Sequence, residues 1–303
     1  MLVLGWLGNP AATLGVQITG QGIADRFSPQ SADCLAWVLA AAIPQTVTAE
    51  PTDLAVLNRF AGGIVIDGSV IGLPAELAVQ FPGGANQMSS QAALKIGVGI
   101  DLLTGRLDGP HLMAARPHDR LLPIQDTPVA PGVLRLADEW RQRLCDEARR
   151  RGQTVSVRGL ALAEWTIRVT NVPPERLSVA AMVVGRVRWQ IELLFKLWKS
   201  HGKIDEWRSV KPWRVLTEVY AKLLAMVIQH WVLVVTSWQY PERSMVKGTQ
   251  TVRAHACYLA CVFQRTDHLT AALASIERCL AAGQVNKRRK RPNTCQLLQA
   301  VAA

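Results

Sequence analysis

Six cysteines are scattered through the 303 residues, and none stands in a paired Cys-x-x-Cys spacing. Only Cys257 and Cys261 are close, beside His255. The run AHACYLACVF reads as a helix that buries two small thiols, not as a zinc site. No secretory leader is legible either, because MLVLGWLGNPAA breaks at Gly8-Asn9-Pro10 where an apolar leader core would continue. A cytoplasmic protein is the expectation. Long apolar runs are also missing. The longest, LLAMVIQHWVLVVTSW after Lys222, has 16 residues and contains Gln229 and His230, short of the roughly 20 needed to cross a bilayer. A buried helix is expected there, with no membrane partner and with His230 a satisfied core histidine. Internal repeats are absent.

Acid is scarce in one half only. Residues 1–134 carry 6 Lys/Arg against 10 Asp/Glu, whereas residues 135–303 carry 28 against 13, so a net charge of +11 conceals a swing from −4 to +15. Arginine is concentrated in RQRLCDEARRRG, RVRW and NKRRKR, and its planar fork suits phosphate. Such asymmetry points to a polyanion meeting the second half. With 49% apolar residues, the chain is globular in composition and long enough for a substantial core.

Along the chain, SPQSADCLAWVLAAAIPQTV predicts a helix of Cys34, Leu35, Val38, Leu39 and Ile43, capped by Ser31. From Gly62 the pattern changes to strands. Ile64, Val65 and Ile66 form a short run ending on Asp67 between glycines. AALKIGVGIDLLTGRLDG then alternates Leu94, Ile96, Val98, Ile100 and Leu102 on one face, with a hairpin turn at Thr104-Gly105. PGVLRLAD ends on Asp138, and WTIRVTNV reads as a further strand. The last third is helical, broken at Pro241, and ends in the basic tail NKRRKRPNT.

The most informative stretch is RVRWQIELLFKLWKSHGKIDEWRSVKPW. Val184, Val187, Ile191, Leu194 and Trp198 lie on one helical arc. Arg188, Glu192 and Lys199 fall within about 40° of one another at the edge of that stripe. A surface ladder of i,i+4 pairs would explain Arg188 and Glu192 by itself. Trp189 and Trp207 are expected to be exposed and able to stack on unpaired bases, while Trp198 belongs to the core.

The stretch also resembles the Tyr-x2-Arg-x3-Glu-x6-Lys signature of insertion-sequence transposases of the IS-four type. IVIDGSVIGLPAELAVQFPGG, the DLLTG hairpin, ARPHD and EWTIRVTNVP resemble their corresponding parts in the same order. The resemblance implies an α/β mixed sheet with an RNase H-like DDE catalytic core and helical N- and C-terminal additions. It implies the catalytic, metal-holding carboxylates Asp67, Asp138 and Glu192, and a DNA-contacting set of Arg188, Lys199, Lys203 and Trp189. It further implies two magnesium or manganese ions, insertion-sequence ends and target DNA as partners, and a homodimer in a synaptic complex. Such ions accept a few carboxylates and phosphate oxygens as ligands. Asp101, beside a turn, and Asp119, after His118, are rival acids ranked behind Asp67.

Two departures stand out. Gly185 occupies the signature's tyrosine position, and only 53 residues separate Asp138 from Glu192, where the family inserts a largely β subdomain. The expected organisation is an abbreviated helical region at 1–58, a shortened core at 59–208, a helical region at 209–285 and a basic tail at 286–303. The expected function is a DNA transposase acting by metal-dependent cleavage and strand transfer. The alternative is a catalytically dead DNA-binding remnant left by the shortening.

Overall fold

A computed structural model describes residues 15–45, 47–50, 64–83, 91–115, 131–135, 145–146, 148–152, 154, 165–169, 184–207, 209–238, 240, 243–283 and 296. The chain divides into two units, residues 1–124 with 180–303 and residues 125–179.

The first unit opens with helices α1 (Gly20–Ala24) and α2 (Pro29–Ala42). Ser28, not Ser31, caps α2. Its hydroxyl accepts the Ser31 N–H while the Ser31 hydroxyl accepts the Ser28 N–H, and Pro29 fills the first helical position. The expected cap is thus displaced by one turn, with Ser31 as its reciprocal partner.

Three antiparallel strands follow in the order β1 (Ile64–Leu73), β2 (Ala92–Asp101), β3 (Leu107–Ala114). The register sets Asp67 opposite Val98, Ile71 opposite Leu94, and Ile96 opposite Leu112. One sheet face therefore carries Val65, Asp67, Ser69, Ile71 and Leu73 beside Ile100, Val98, Ile96, Leu94 and Ala92. Strand β1 runs on to Leu73, so Asp67 stands in mid-strand and not at the strand end anticipated. The cross-strand ladder overrides Gly68, which read as a break.

The β2–β3 turn lies where Thr104-Gly105 predicted it. The Asp101 carboxylate accepts the N–H groups of Leu103 and Thr104, the ordinary work of an aspartate in a turn. Gly105 has φ +69, and a Cβ there would sit 2.8 Å from the Trp238 ring.

Helix α3 (Val184–Ser200) packs on β1 and β2. Helix α4 (Pro212–Ser237) packs against α2, β3 and two of the three later helices, the first and the last. The three are α5 (Met245–Ala254), α6 (Ala256–Val262) and α7 (Thr266–Ala281). One core joins Ile71, Leu94, Ile96 and Val98 to Ile191, Trp198, Val219 and Leu223. A second joins Val232 and Leu233 of α4 to Val252, Leu259 and Ile276.

At 26 residues α4 exceeds the apolar run read from the sequence and is long and apolar enough to cross a membrane. Most of that stretch, 61%, is buried inside the unit instead. His230 within it is buried and donates from Nε2 to the Gly105 carbonyl at 2.8 Å, as a core histidine should. Burial holds its pKa below the usual histidine value, partly countered by that hydrogen bond. Cys257 and Cys261 are exposed, contrary to expectation. Helix α6 buries Leu259 and Val262, and the two cysteines fall on its opposite side.

The second unit holds a two-stranded antiparallel ribbon, β4 (Pro131–Arg135) with β5 (Trp165–Val169), Val133 opposite Ile167. The α/β class read from the sequence holds.

Candidate active site

Sheet alternation fixes where Asp67 points. It lies on the same face as Val65 and Ile71, the face that carries the core, and it is half-buried. Its carboxylate accepts the N–H of Gly68 at 2.9 Å.

Helix α3 lays its apolar stripe of Ile191, Leu194, Phe195 and Trp198 on that core. Trp198 is fully buried and meets Phe195 edge to face at 5.9 Å. Glu192, next to Ile191, is consequently half-buried at the margin of the stripe. Among the described residues, none hydrogen-bonds or ion-pairs with its carboxylate. A carboxylate with no described partner is open to a ligand.

Lys199 is also half-buried, and its ammonium donates to the Val70 carbonyl of β1 at 3.1 Å. One of its three donors thus ties the helix to the strand that carries Asp67. Lys203 is exposed, takes the left-handed conformation at φ 52, and pairs with Glu206 at 2.8 Å. That hydrogen bond holds the Glu206 carboxyl below its usual range. Trp189 is 58% exposed, as anticipated. Trp207 instead packs partly buried against the core, because the segment after α3 folds back. Asp138, Asp119 and the side chain of Arg188 lie outside the described residues, as does the basic tail apart from Gln296.

Sequence reasoning missed Lys222. Half-buried on α4, it donates to the carbonyls of Lys203 and Glu206 and so fixes the segment that follows α3. Burial lowers its pKa, against the pull of Glu218, Glu206 and Asp205. Nothing local in the sequence signals a contact across 19 residues.

Oxygen donors are what a hard divalent cation needs, and Asp67 and Glu192 supply them from one sheet–helix layer. No group of three or more His, Cys, Asp or Glu side chains gathers as a metal site among the described residues. A magnesium ion does not demand one, since it keeps several waters and takes phosphate oxygens as well. The donor set fits in kind.

Residues 125–228 match the family described as the transposase DDE domain, a span that includes β4, β5, Glu192 and Lys199. Such a domain implies an RNase H-like core. The chain is similar to the transposase for insertion sequence element IS231E of Bacillus thuringiensis subsp. finitimus, with 36% identity over 80 residues, 26% of this chain and 17% of that protein. It is similar as well to the IS231C transposase of Bacillus thuringiensis subsp. berliner, at 35% over 91 residues, 30% of this chain and 19% of that protein. The putative transposase InsL for IS186A of Escherichia coli strain K12 matches at 35% over 86 residues, 28% and 23% of the two chains. The chain thus spans about a fifth of the length of the curated relatives it matches. No solved structure matches it. The matches agree with the resemblance read from the sequence: over part of its length the chain is similar to insertion-sequence transposases and to the transposase DDE domain.

Proposed function

We propose that the chain is a DNA transposase of an insertion sequence that cuts phosphodiester bonds at element ends and joins them to target DNA. The observation that carries this reading is a half-buried Glu192 with no partner among the described residues, inside the span matching the transposase DDE domain, on the helix that covers the Asp67 face of β1.

Spacing supports the pairing of the two carboxylates. Seven residues of helix rise about 10.5 Å, and three residues of strand about 10 Å. A helix held at Val70 by Lys199 is therefore compatible with Glu192 opposite Asp67. Asp67 and Glu192 would hold a magnesium or manganese ion, with Asp138 as the third carboxylate. The bound metals would stabilise charge on the attacking and leaving oxygens of the phosphodiester. Lys199 has two ammonium donors beyond the one bonded to Val70 and, with Arg188, neutralises phosphate. Lys203 and Trp189, both exposed, extend the contact along the strand. The catalytic core occupies residues 59–208, the protein works in the cytoplasm, and a homodimer brings two element ends together.

Gly185 and the 53 residues between Asp138 and Glu192 favour a second reading, a remnant that holds DNA without cutting it. Nicking of a supercoiled plasmid in magnesium or manganese separates the two. Nicking by the wild-type chain that disappears in Glu192→Ala is expected for the enzyme. DNA retention without nicking in either metal overturns that reading in favour of the remnant.

A further inference from the structure

We infer that Arg253 of α5, with Lys203 and Lys222, converts the C-terminal end of α3 into a cationic seat for the phosphate backbone of duplex DNA. The inference rests on the DNA-binding reading above and extends the contact surface to a helix that carries none of the signature residues.

A helix ends in unpaired carbonyls and about half a negative charge, an arrangement that repels phosphate. In α3 the carbonyls of Leu197, Trp198 and Lys199 are paired with the N–H groups of His201, Gly202, Ile204 and Lys203, and cations cover carbonyls of the segment that follows. The His201 carbonyl accepts Nη1 of Arg253 at 3.1 Å, across 52 residues of sequence. The Lys203 carbonyl accepts Nζ of Lys222 at 3.1 Å, and the Glu206 carbonyl accepts it as well.

The three cations divide the work by burial. Lys222 is half-buried beneath the segment and neutralises it from inside, while Arg253 and Lys203 are exposed. One N–H of the Arg253 guanidinium is engaged with His201, and the rest of its planar fork remains to take phosphate oxygens. Lys203 is exposed, with a left-handed backbone, and its ammonium donates to Glu206. Close packing fixes the turn between them, since a Cβ on Gly202 would lie 2.5 Å from the Trp198 carbonyl oxygen and 2.7 Å from the Met226 sulfur. With Lys199 the end gathers four cations against three acids, Asp205, Glu206 and Glu218, of which Glu206 is paired with Lys203 and Glu218 with Arg214.

The test is the salt dependence of binding to a fluorescent duplex of mixed sequence, read by anisotropy for the full chain. Each phosphate contact adds about 0.9 to the magnitude of the slope of log K against log salt. Arg253→Gln keeps a donor for His201 and removes the charge, and its slope should be shallower by about 0.9. Arg253→Lys should keep the wild-type slope. Lys203→Gln, at an exposed position, gives an independent reading with a similar loss. Arg278→Gln, at an exposed position of α7, should leave the slope unchanged. Wild-type binding with unaltered slopes in both Arg253→Gln and Lys203→Gln overturns the inference and leaves the proposed function standing. A wild-type chain that binds no duplex overturns both.

Discussion

Helices α3 and α4 are both rich in apolar residues, yet they treat their polar residues in opposite ways. In α4 the buried polar side chains are satisfied inside the protein. Thr217 and Thr236 donate to carbonyls one turn back, Gln229 reaches Thr249, and His230 reaches Gly105. In α3 the polar side chains sit at the margin of the stripe, and Glu192 has no partner among the described residues. A helix whose polar groups are all paired holds a core together, as hydrogen-bonded burial requires. One that leaves a half-buried acid with no partner among the described residues keeps that acid open to a ligand.

The comparison breaks most sharply at Glu192. Replacing it by Gln removes the charge but keeps the shape, so nicking should fall by about a thousandfold, or roughly 4 kcal/mol of barrier. Stability should stay within about 0.5 kcal/mol, because no described partner is lost. Denaturant unfolding beside the plasmid assay reads both. A large loss of stability would make Glu192 a structural residue like those of α4.

Trp198 sharpens the same contrast from the other side of α3. Its indole is fully buried against Phe195, so Trp198→Ala should cost about 3–5 kcal/mol, with Leu223→Ala on α4 costing about 2–5 kcal/mol. Equal denaturation midpoints for Trp198→Ala and wild type would show that the stripe of α3 is not packed as described.

Much of this was legible because local pattern and tertiary structure agree. The 3.6-residue spacing of Ile191, Leu194 and Trp198 gave α3 its buried face, and alternation through Leu94, Ile96 and Val98 gave β2. What escaped depended on partners remote in sequence. Gly68 read as a strand break, yet pairing with β2 carries β1 across it. Trp207 read as exposed, but the segment bearing it is drawn back towards α4 by Lys222. The cysteines of α6 read as buried because an apolar run seven residues long does not say which side meets the core; Leu259 and Val262 decide it. Of the site, Glu192 and Lys199 were legible through their spacing on one helix, while the tie from Lys199 to Val70 spans 129 residues.

The smallest effect is the most specific to α4. His230 is neutral in the fold, donating from Nε2 to Gly105, and its pKa is lowered by burial. The unfolded chain takes up a proton near pH 6.5, the ordinary histidine value, before the folded one does. Proton uptake then favours unfolding, so stability is fully present above about pH 6.5 and declines as pH falls toward the lowered folded value. The slope should approach, and not exceed, about 1.4 kcal/mol per pH unit. Urea unfolding of the wild type between neutral and mildly acidic pH should show that decline. His230→Gln, which keeps a donor for Gly105, should flatten it. Carboxylates also titrate toward the acidic end, so the difference between the two proteins isolates the histidine. Parallel curves would mean that His230 takes its proton without leaving the fold, and that α4 does not satisfy its polar groups as completely as its contacts require.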